Sequence, residues 1–331
     1  MVLTIINSLW YQRNPVRWIL YPFALIYQAV SMLRRGYLQC FRQQRFSVPV
    51  IVVGNLTVGG VGKTPFVIAL ALQLRAKGLR VGIVSRGYGA TIPCFPHEIK
   101  ENDNAAHVGD EPLLLARKTA CPVVIAPKRV DAVRYLLDIH QSQIIISDDG
   151  LQHYAMGRAI EIVVIDSMRG LGNGLCLPAG PLREGTGRLQ QVDFILANGG
   201  EWTGAYRMDL VPGPLTKLSN NKQVEVTELK GTIAAVAGIG NPQRFFATLN
   251  QLGIVFKPYP FADHHCFQAD ELNIAADSIV MTEKDAVKCQ VFATEKMYFL
   301  PVDAQVNSGF WDALWAHKQL QGLVNEFKSM A

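Results

Sequence analysis

A glycine-rich loop between an apolar strand and a helix constrains the fold of this chain more than any other feature. The loop Thr57-Val58-Gly59-Gly60-Val61-Gly62-Lys63-Thr64 directly follows the apolar run 48–53 and precedes a helical pattern at 65–72. In this context backbone N–H groups close around a polyphosphate, and the helix N-terminus adds its positive dipole end. Lys63 would reach the β- and γ-phosphates, and the Thr64 hydroxyl suits a Mg²⁺ ligand. The loop therefore predicts a protein that binds a nucleoside triphosphate.

The loop departs from two related patterns. The strict phosphate-loop pattern has glycine where this chain has Thr57, so a simple glycine-rich turn remains the alternative. Partitioning and membrane-cycling ATPases share the Gly-Gly-Val-Gly-Lys-Thr run, but they carry a signature lysine where this chain has Val58. The sequence therefore favours a catalytic kinase over a nucleotide-dependent dimer switch.

Apolar segments alternate with helical patterns beyond the loop. Strands are predicted at 80–85, 122–126, 143–147 and 161–165, with a helix from about 128 to 139. Continuous apolar strands separated by helices predict an α/β fold with a mostly parallel sheet of the P-loop NTPase type, covered by helices on both faces. Ligands of such sheets collect at the carboxyl ends of the strands.

The pattern restarts at about residue 231, which predicts a smaller α/β lobe at the C-terminal end. Its predicted elements are strands at 232–237, 278–282 and 298–302 and a helix at 243–252. We therefore expect three parts: an N-terminal segment (1–46), a P-loop kinase domain (47–230) and a smaller lobe (231–331). A cleft between the two lobes would suit phosphoryl transfer between two substrates.

The N-terminal segment carries the basic charge of the chain. No Asp or Glu precedes Glu98, whereas eleven Lys and Arg residues do, so the net charge of +5 gives little support for nucleic-acid binding. Residues 18–33 are uncharged and rich in aromatics, with Arg13 and Arg17 before them and arginines 34, 35, 42 and 45 after them. Sixteen uncharged residues fall short of the ~20 that cross a bilayer core. The segment predicts a helix lying in an anionic membrane surface, with a buried helix as the alternative.

Acidic residues at the ends of predicted elements suggest metal chemistry. Asp148 and Asp149 follow an apolar strand, and two adjacent carboxylates are costly unless a cation offsets their charge. Asp110 and Glu111 form a second acidic pair, although carboxylates are common at helix N-termini for other reasons. Six scattered cysteines form no close pair, which fits a reduced cytosolic compartment better than a zinc or disulfide framework.

Seven motifs taken together resemble one family, the tetraacyldisaccharide 4′-kinases of lipid A biosynthesis. They occur in order and cover nearly the whole chain, and the Thr57 position belongs to the family's own pattern. The motifs are Gly-Asn-Leu-Thr-x-Gly-Gly-x-Gly-Lys-Thr-Pro (54–65), Ser-Arg-Gly-Tyr-Gly (85–89), Val-Gly-Asp-Glu-Pro (108–112), Asp-Asp-Gly-Leu-Gln-His (148–153), Leu-Pro-Ala-Gly-Pro-Leu-Arg-Glu (177–184), Phe-Ala-Asp-His (261–264) and Thr-Glu-Lys-Asp-Ala-Val-Lys (282–288).

The resemblance implies an activity and a place in the cell. The activity is transfer of the ATP γ-phosphate to the 4′-hydroxyl of an acylated glucosamine disaccharide 1-phosphate, giving lipid IVA. The place is the cytoplasmic face of a Gram-negative inner membrane, where the enzyme would be peripheral or shallowly inserted. A membrane-associated regulatory ATPase with a deviant phosphate loop is the alternative. No nucleic acid or protein partner is implied.

The resemblance also implies roles for individual residues. Asp110 would act as the base, and His264 from the second lobe would orient or polarise it, while Lys63 stabilises phosphate charge. Mg²⁺ would be held by Thr64, Glu111 and the Asp148–Asp149 pair. Further candidates for the sugar phosphate are Arg183, Glu184 and His153, although Arg183 and Glu184 would equally suit a structural ion pair. Lys284 and Lys288 fit either the 1-phosphate or a solvated surface, and the segment 282–285 has no predicted role.

Overall fold

The structure, a computed structural model, describes residues 8–12 and 14–328, with side chains up to residue 323. Arg13, one of the predicted flanking arginines, lies outside the described residues. The N-terminal apolar segment forms helix α1 (Val16–Tyr37), which continues as a π-helical turn (Leu38–Arg42). Pro22 lies inside α1, and Ala24 is its buried residue. Because most of its apolar side chains face outward, α1 does not behave as a core helix.

A nine-stranded sheet forms the larger part of the molecule. Its strand order is β15-β8-β7-β6-β1-β5-β2-β4-β3, and all neighbours are parallel except β15 with β8 and β3 with β4. Its elements before the second sheet are β1 (Val50–Gly54), α2 (Lys63–Ala76), β2 (Val81–Ser85), β3 (His97–Glu98), α3 (Ala105–Val108), α4 (Asp110–Thr119), β4 (Val123–Ile125), α5 (Arg129–His140), β5 (Ile144–Ser147), β6 (Ile160–Asp166), a 3₁₀ turn (Thr186–Gln191), β7 (Phe194–Asn198) and β8 (Tyr206–Pro212).

A six-stranded sheet follows, in the order β10-β9-β14-β13-β11-β12. Strands β11 to β14 are parallel, whereas β9 and β10 join the edge antiparallel. The elements of this sheet are β9 (Leu215–Lys217), β10 (Gln223–Val224), a 3₁₀ turn (Val226–Glu228), β11 (Ile233–Ala237), α6 (Pro242–Gln251), β12 (Lys257–Pro260), β13 (Ser278–Thr282), α7 (Glu283–Cys289), a second 3₁₀ turn (Gln290–Phe292) and β14 (Met297–Leu300).

The chain then returns to the large sheet through β15 (Val302–Val306), α8 (Ser308–Trp315) and α9 (Lys318–Lys328). Phe310, Leu314 and Leu320 are fully buried against the same core as Phe66 of α2. The small sheet is thus inserted between β8 and β15, and the chain crosses between sheets twice. The Gly213 N–H of the first crossing donates to the Pro301 carbonyl of the second, at 2.9 Å.

This arrangement differs from the boundaries predicted at residues 230 and 331. The small sheet begins at β9 and ends at β14, so β15 and the buried residues of 308–320 belong to the large sheet and its core. The predicted strand at 298–302 is two strands in different sheets, since Pro301 interrupts the run. An apolar run predicts a strand, but its neighbour in a sheet depends on the tertiary fold.

Candidate active site

The glycine-rich loop lies at the carboxyl end of β1, between β6 and β5 in the large sheet. Gly62 precedes α2 with φ of 94°, a left-handed conformation that favours glycine. A Cβ on Gly62 would also lie 2.4 Å from Asn198 Nδ2, so the position has no room for a side chain. The loop therefore presents backbone N–H groups and the N-terminus of a 14-residue helix to the carboxyl edge of the sheet.

Lys63 is the first residue of α2, and its ammonium group points back across the loop. Its Nζ donates to Asn55 Oδ1 at 2.9 Å and lies 3.3 Å from Asp149 Oδ1. Asn55 is fully buried, and its Nδ2 donates to the Thr57 carbonyl at 2.6 Å. Asn55 thus holds both the loop backbone and its lysine, and sequence reasoning had assigned it no role.

Asp148 and Asp149 follow β5 and lie in different electrostatic environments. Burial, together with the negative charges of Glu111 and Asp149, raises the pKa of Asp148 to about 7. Burial alone would raise the pKa of Asp149 too, but Lys63 and Arg183 lower it well below its usual range. Arg183 Nη1 lies 3.0 Å from Asp149 Oδ2. Asp149 is therefore already neutralised by two cations, whereas Asp148 is not.

The residues around Asp148 fit a magnesium ion. Its Oδ1 is buried and accepts no hydrogen bond within the described part of the chain. A buried, unpaired carboxylate oxygen is costly, and a cation would remove that cost. The carboxylates of Asp148 and Glu111 and the Thr64 hydroxyl are hard oxygen donors, and Mg²⁺ binds such donors together with substrate phosphates. Within the described residues, no group of three or more His, Cys, Asp and Glu side chains could hold a metal ion, so an ion at this site would also need ligands from the nucleotide.

Asp110 and His264 meet across the two sheets. Asp110 begins α4 and is 7 % exposed, and its Oδ1 lies 3.2 Å from His264 Nδ1. Burial alone would raise the pKa of Asp110, but the hydrogen bond with His264 and the charge of Lys284 lower it to about 2. The same hydrogen bond raises the pKa of His264. Asp110 Oδ2 is buried without a hydrogen-bond partner among the described residues, so it can accept one from a substrate.

The two lysines of the last motif surround this carboxylate. Lys284 Nζ lies 3.0 Å from Glu111 Oε1 and 3.9 Å from Asp110 Oδ2. Burial alone would lower the pKa of Lys284, but these carboxylates raise it, so the ammonium group stays charged. Lys288 Nζ lies 3.7 Å from Asp110 Oδ2 and 2.7 Å from Asp285 Oδ1. Both lysines are mostly buried, so the solvated-surface alternative does not describe them.

Asp285 gives the segment 282–285 a structural role. It is fully buried, and its Oδ2 accepts from the Gly238 N–H and from the Thr282 hydroxyl, at 2.8 and 2.7 Å. The Thr282 hydroxyl in turn caps α7 by accepting from the Asp285 N–H. The segment thus fixes the start of the helix that carries both lysines.

The three further substrate candidates lie in different settings. Arg183 remains beside Asp149, at the edge of the loop, where Arg183 N–H donates to the Leu56 carbonyl at 2.7 Å. Glu184 is 7 % exposed and accepts hydrogen bonds from Tyr154 and Gln152, so its geometry is that of a structural carboxylate. Burial and the charges of nearby arginines, Arg129 foremost, lower the pKa of His153 to about 4. His153 is therefore neutral and borders a basic region.

His265 faces away from the site. Its Nε2 lies 2.9 Å from Glu271 Oε2, and its ring packs against Phe261 and Phe267 within the small sheet's own loops. Of the two adjacent histidines, only His264 reaches the large sheet. The described residues around them form no metal cluster, which leaves the Asp263-His264-His265 segment as part of the cleft.

Comparison with known proteins places this geometry in a family. The family model of LpxK, tetraacyldisaccharide-1-phosphate 4′-kinase, matches residues 16–319. The tetraacyldisaccharide 4′-kinase of Legionella pneumophila strain Lens is 59 % identical over 317 residues, which cover 96 % of this chain and 98 % of the relative. The enzyme of the same description from Aeromonas hydrophila is 48 % identical over 315 residues, covering 93 % and 94 % of the two chains.

A solved structure shows the same architecture. LpxK from Aquifex aeolicus, determined in complex with ATP, superposes with a TM-score of 0.77 at 27 % sequence identity. The match covers 92 % of this chain and 99 % of that one, so both sheets take part in it.

Proposed function

The chain belongs to the tetraacyldisaccharide-1-phosphate 4′-kinase family, and we infer from this membership that it transfers the γ-phosphate of ATP to the 4′-hydroxyl of the tetraacylated disaccharide 1-phosphate in lipid A biosynthesis. The regulatory ATPase considered as an alternative is not favoured, because the family match extends over both sheets. The observation that carries a catalytic mechanism is the contact between Asp110 and His264 across the two sheets, which leaves Asp110 Oδ2 without a hydrogen bond among the described residues.

Proton acceptance is proposed for Asp110. A sugar hydroxyl is a poor nucleophile and must lose its proton as the phosphoryl group moves. The hydrogen bond with His264 holds Oδ1, which leaves Oδ2, beside Lys284 and Lys288, as the oxygen proposed to take the proton. The lowered pKa keeps Asp110 ionised at neutral pH, so that it can accept the proton as the phosphoryl group is transferred.

Phosphate charge is proposed to be neutralised by Lys63 and the loop amides. Lys63 Nζ is held by Asn55 and Asp149 at the loop, and a bound phosphate would replace these contacts. Mg²⁺ would be held by Thr64, Asp148, Asp149 and Glu111, where the ion would compete with Lys63 and Arg183 for Asp149 and with Lys284 for Glu111. When bound, the ion would neutralise charge on the phosphates.

The two sheets are proposed to be the two lobes of the enzyme, closed over the site in this structure. The turn 238–241 of the small sheet lies over the phosphate loop. A Cβ on Gly240 would lie 3.1 Å from Gly60 N and 3.0 Å from Asp263 Oδ2. This turn and the segment that carries His264 would therefore exclude water from the transferred group.

Helix α1 is proposed to bind the cytoplasmic surface of the inner membrane. Ile19, Phe23, Ile26, Val30 and Leu33 recur at helical spacing and are 58–75 % exposed. Its other face touches the body of the protein, where Arg35 lies over the Tyr154 ring. By length and composition the helix Val16–Arg42 could also cross a membrane, with a mean hydropathy of 1.3. Contact along one face with the body favours a helix that lies in the surface.

A transfer assay tests the function directly. The full chain is incubated with ATP labelled in the γ-phosphate, Mg²⁺ and the tetraacyldisaccharide 1-phosphate in detergent micelles. We expect label in the lipid, and loss of that label by about 10²-fold or more in Lys63→Ala, since a transition-state charge contact is removed. The matched control is Lys257→Ala, an exposed lysine on β12. Release of free phosphate without labelled lipid would contradict the proposed function, as would full activity of folded Lys63→Ala.

A further inference from the structure

Two residues outside all seven motifs, Asn198 and Arg244, connect the small sheet to the phosphate loop. Asn198 ends β7 at the carboxyl edge of the large sheet, next to the loop in space. Arg244 lies in the first turn of α6, directly after the turn 238–241 that covers the loop. The mechanism proposed above uses neither residue.

Asn198 is fully buried, and its amide is held at both ends. Its Nδ2 donates to the Val61 carbonyl at 2.8 Å, and its Oδ1 accepts from Arg244 Nη2 at 2.7 Å. These partners allow only one orientation of the amide, because a flip would set donor against donor and acceptor against acceptor. Gly62 fits against the same amide, so the loop and Asn198 are in van der Waals contact.

Arg244 reaches from the small sheet to the ends of two strands of the large sheet. Besides Asn198 at the end of β7, its Nη1 lies 3.8 Å from Asp166 Oδ2 at the end of β6. The side chain of Asp166 is 6 % exposed, and its Oδ1 accepts from the N–H groups of Met168 and Arg169. The guanidinium group thus lies between a fixed carboxylate and a fixed amide, and 33 % of the side chain remains exposed.

The hydrogen bond to Val61 has a consequence for the loop. In a trans peptide the C=O and the following N–H point in opposite directions. Because Asn198 holds the Val61 carbonyl on one side, the Gly62 N–H of the same peptide points away from Asn198. Arg244 and Asn198 thus link the small sheet to the orientation of the peptide that carries the Gly62 N–H.

We propose that Arg244 and Asn198 form a latch that couples closure of the small lobe to the phosphate-binding conformation of the loop. Both are positioning residues for phosphoryl transfer, and the proposal rests on the proposed kinase function. Such coupling is reciprocal, so ATP favours closure by the same factor by which closure favours ATP. The latch would also ensure that Asp110 and His264 meet when the nucleotide is in place.

The test measures ATP binding and turnover of the full chain in parallel. Arg244→Met removes the charge and keeps the length, Arg244→Lys keeps the charge without the planar fork, and Asn198→Asp sets an oxygen against the Val61 carbonyl. The control is Arg207→Met, which removes an exposed arginine paired with Asp209. We expect Arg244→Met to weaken ATP binding and to lower kcat, each by roughly 5- to 150-fold, with Arg244→Lys in between and Arg207→Met unchanged.

Two further readouts separate a latch from other roles. ATP should protect residues 238–244 from hydrogen exchange in the wild-type chain and fail to do so in Arg244→Met even at saturating ATP. The Asn198→Asp, Arg244→Met double variant should lose much less than the product of the two single losses. Multiplicative losses would instead mean that Arg244 contacts the nucleotide independently, and wild-type ATP binding and kcat in Arg244→Met would also overturn the latch. If Asn198→Asp does not fold, the Arg244 variants and the hydrogen-exchange measurement still test the latch.

Neither ATP binding nor hydrogen exchange requires the lipid substrate. A failure of the proposed kinase function can therefore be distinguished from a failure of the latch.

Discussion

Asp110 combines a buried carboxylate with a pKa below its ordinary value. The imidazole of His264 and the two ammonium groups of Lys284 and Lys288 produce this combination. These four groups come from three elements, so the ionised Asp110 exists only where α4, α7 and the 261–264 segment meet. At the scale of residues, the proposed base therefore depends on contacts between the two sheets.

The first prediction concerns Asp110 and His264 as a unit. Asp110→Asn and His264→Ala should each lower kcat by about 10²- to 10⁴-fold, because proton acceptance fails in either case. The double variant should lose much less than the product of the single losses. Steady-state kinetics at saturating ATP measure this, with His265→Ala as the matched control, since His265 contacts Glu271 instead. Fully multiplicative losses would contradict a shared role.

The second prediction concerns Asp148 in the absence of Mg²⁺. Its folded pKa of about 7 lies above the unfolded value of about 3.9, so the folded protein holds a proton that the unfolded chain releases. The stability is therefore fully present below pH ~4 and falls as the pH rises toward 7, where the folded protein must ionise Asp148. Asp148→Asn removes this loss, and its Tm in EDTA should exceed that of the wild type more at pH 8 than at pH 5.

Added Mg²⁺ supplies the control for the second prediction. With ATP and Mg²⁺ the ionised Asp148 is compensated, so the advantage of Asp148→Asn should shrink and its turnover should be low. Asp138→Asn on α5 is a matched substitution away from the site. An Asp148→Asn advantage that is independent of pH would show that the ionised carboxylate is not the cause.

Helices and strands were predictable where the local pattern decides them, and their partners were not. The strand at 278–282 and the helix near 129–140 follow from apolar periodicity, because each buries one continuous face. Strands β3, β7 to β10 and β12 were missed; three of them are only two or three residues long, and β8 and β12 contain proline. The run 298–302 reads as one strand, although Pro301 divides it between two sheets.

Site residues were likewise predictable where a local motif marks them and not where only the tertiary fold brings them together. Lys63, Asp110 and Asp148 lie in motifs with a stated chemical reason, so the sequence could propose them. Asn198 and Arg244 carry no such signal, because an asparagine at a strand end and an arginine on a helix are ordinary until the fold brings them together at 2.7 Å. Glu184 was proposed for substrate, but the structure surrounds it with Tyr154 and Gln152.

The third prediction concerns α1. Glutamates at positions 19 and 26, in the variant Ile19→Glu, Ile26→Glu, should reduce binding to anionic vesicles at least tenfold and lower activity on bilayer substrate. The reason is that two charges would be carried into the apolar, anionic interface. Activity on substrate in detergent and ATP affinity should be retained. The control Ile139→Glu, Val255→Glu changes two exposed apolar residues elsewhere. Unchanged co-sedimentation with vesicles would argue against the membrane role of α1.

At the scale of the whole molecule, the C-terminal residues complete the large lobe. Phe310 on α8 packs edge-on against Phe66 and Phe194, and both it and Leu314 are fully buried. Residues near 66 and residues near 310 therefore share one core, and the large sheet cannot be complete until the chain has been synthesised through β15.

The fourth prediction tests this shared core. Phe310→Ala should lower the free energy of unfolding of the large lobe by about 3–5 kcal/mol, since a fully buried aromatic side chain leaves a cavity. Denaturant unfolding followed by far-UV circular dichroism measures the loss. Phe41→Ala, a change at a 75 % exposed phenylalanine of the π-helical turn, is the matched control and should change stability by ~0.5 kcal/mol or less. A small effect of Phe310→Ala would mean that the C-terminal helices are dispensable for the large lobe.

The chain crosses between the two sheets after β8 and again before β15, and these two crossings limit how the small lobe can move. A lobe attached by one linker can swing and twist in any direction, whereas two attachments side by side, joined from Gly213 to Pro301, leave mainly rotation about the line between them. The small lobe would then need to find only one angle in order to close. On the proposed mechanism, the small lobe that carries His264 would return to Asp110 along one arc in each turnover, and little orientational freedom would remain to be lost when the lipid and the nucleotide come together.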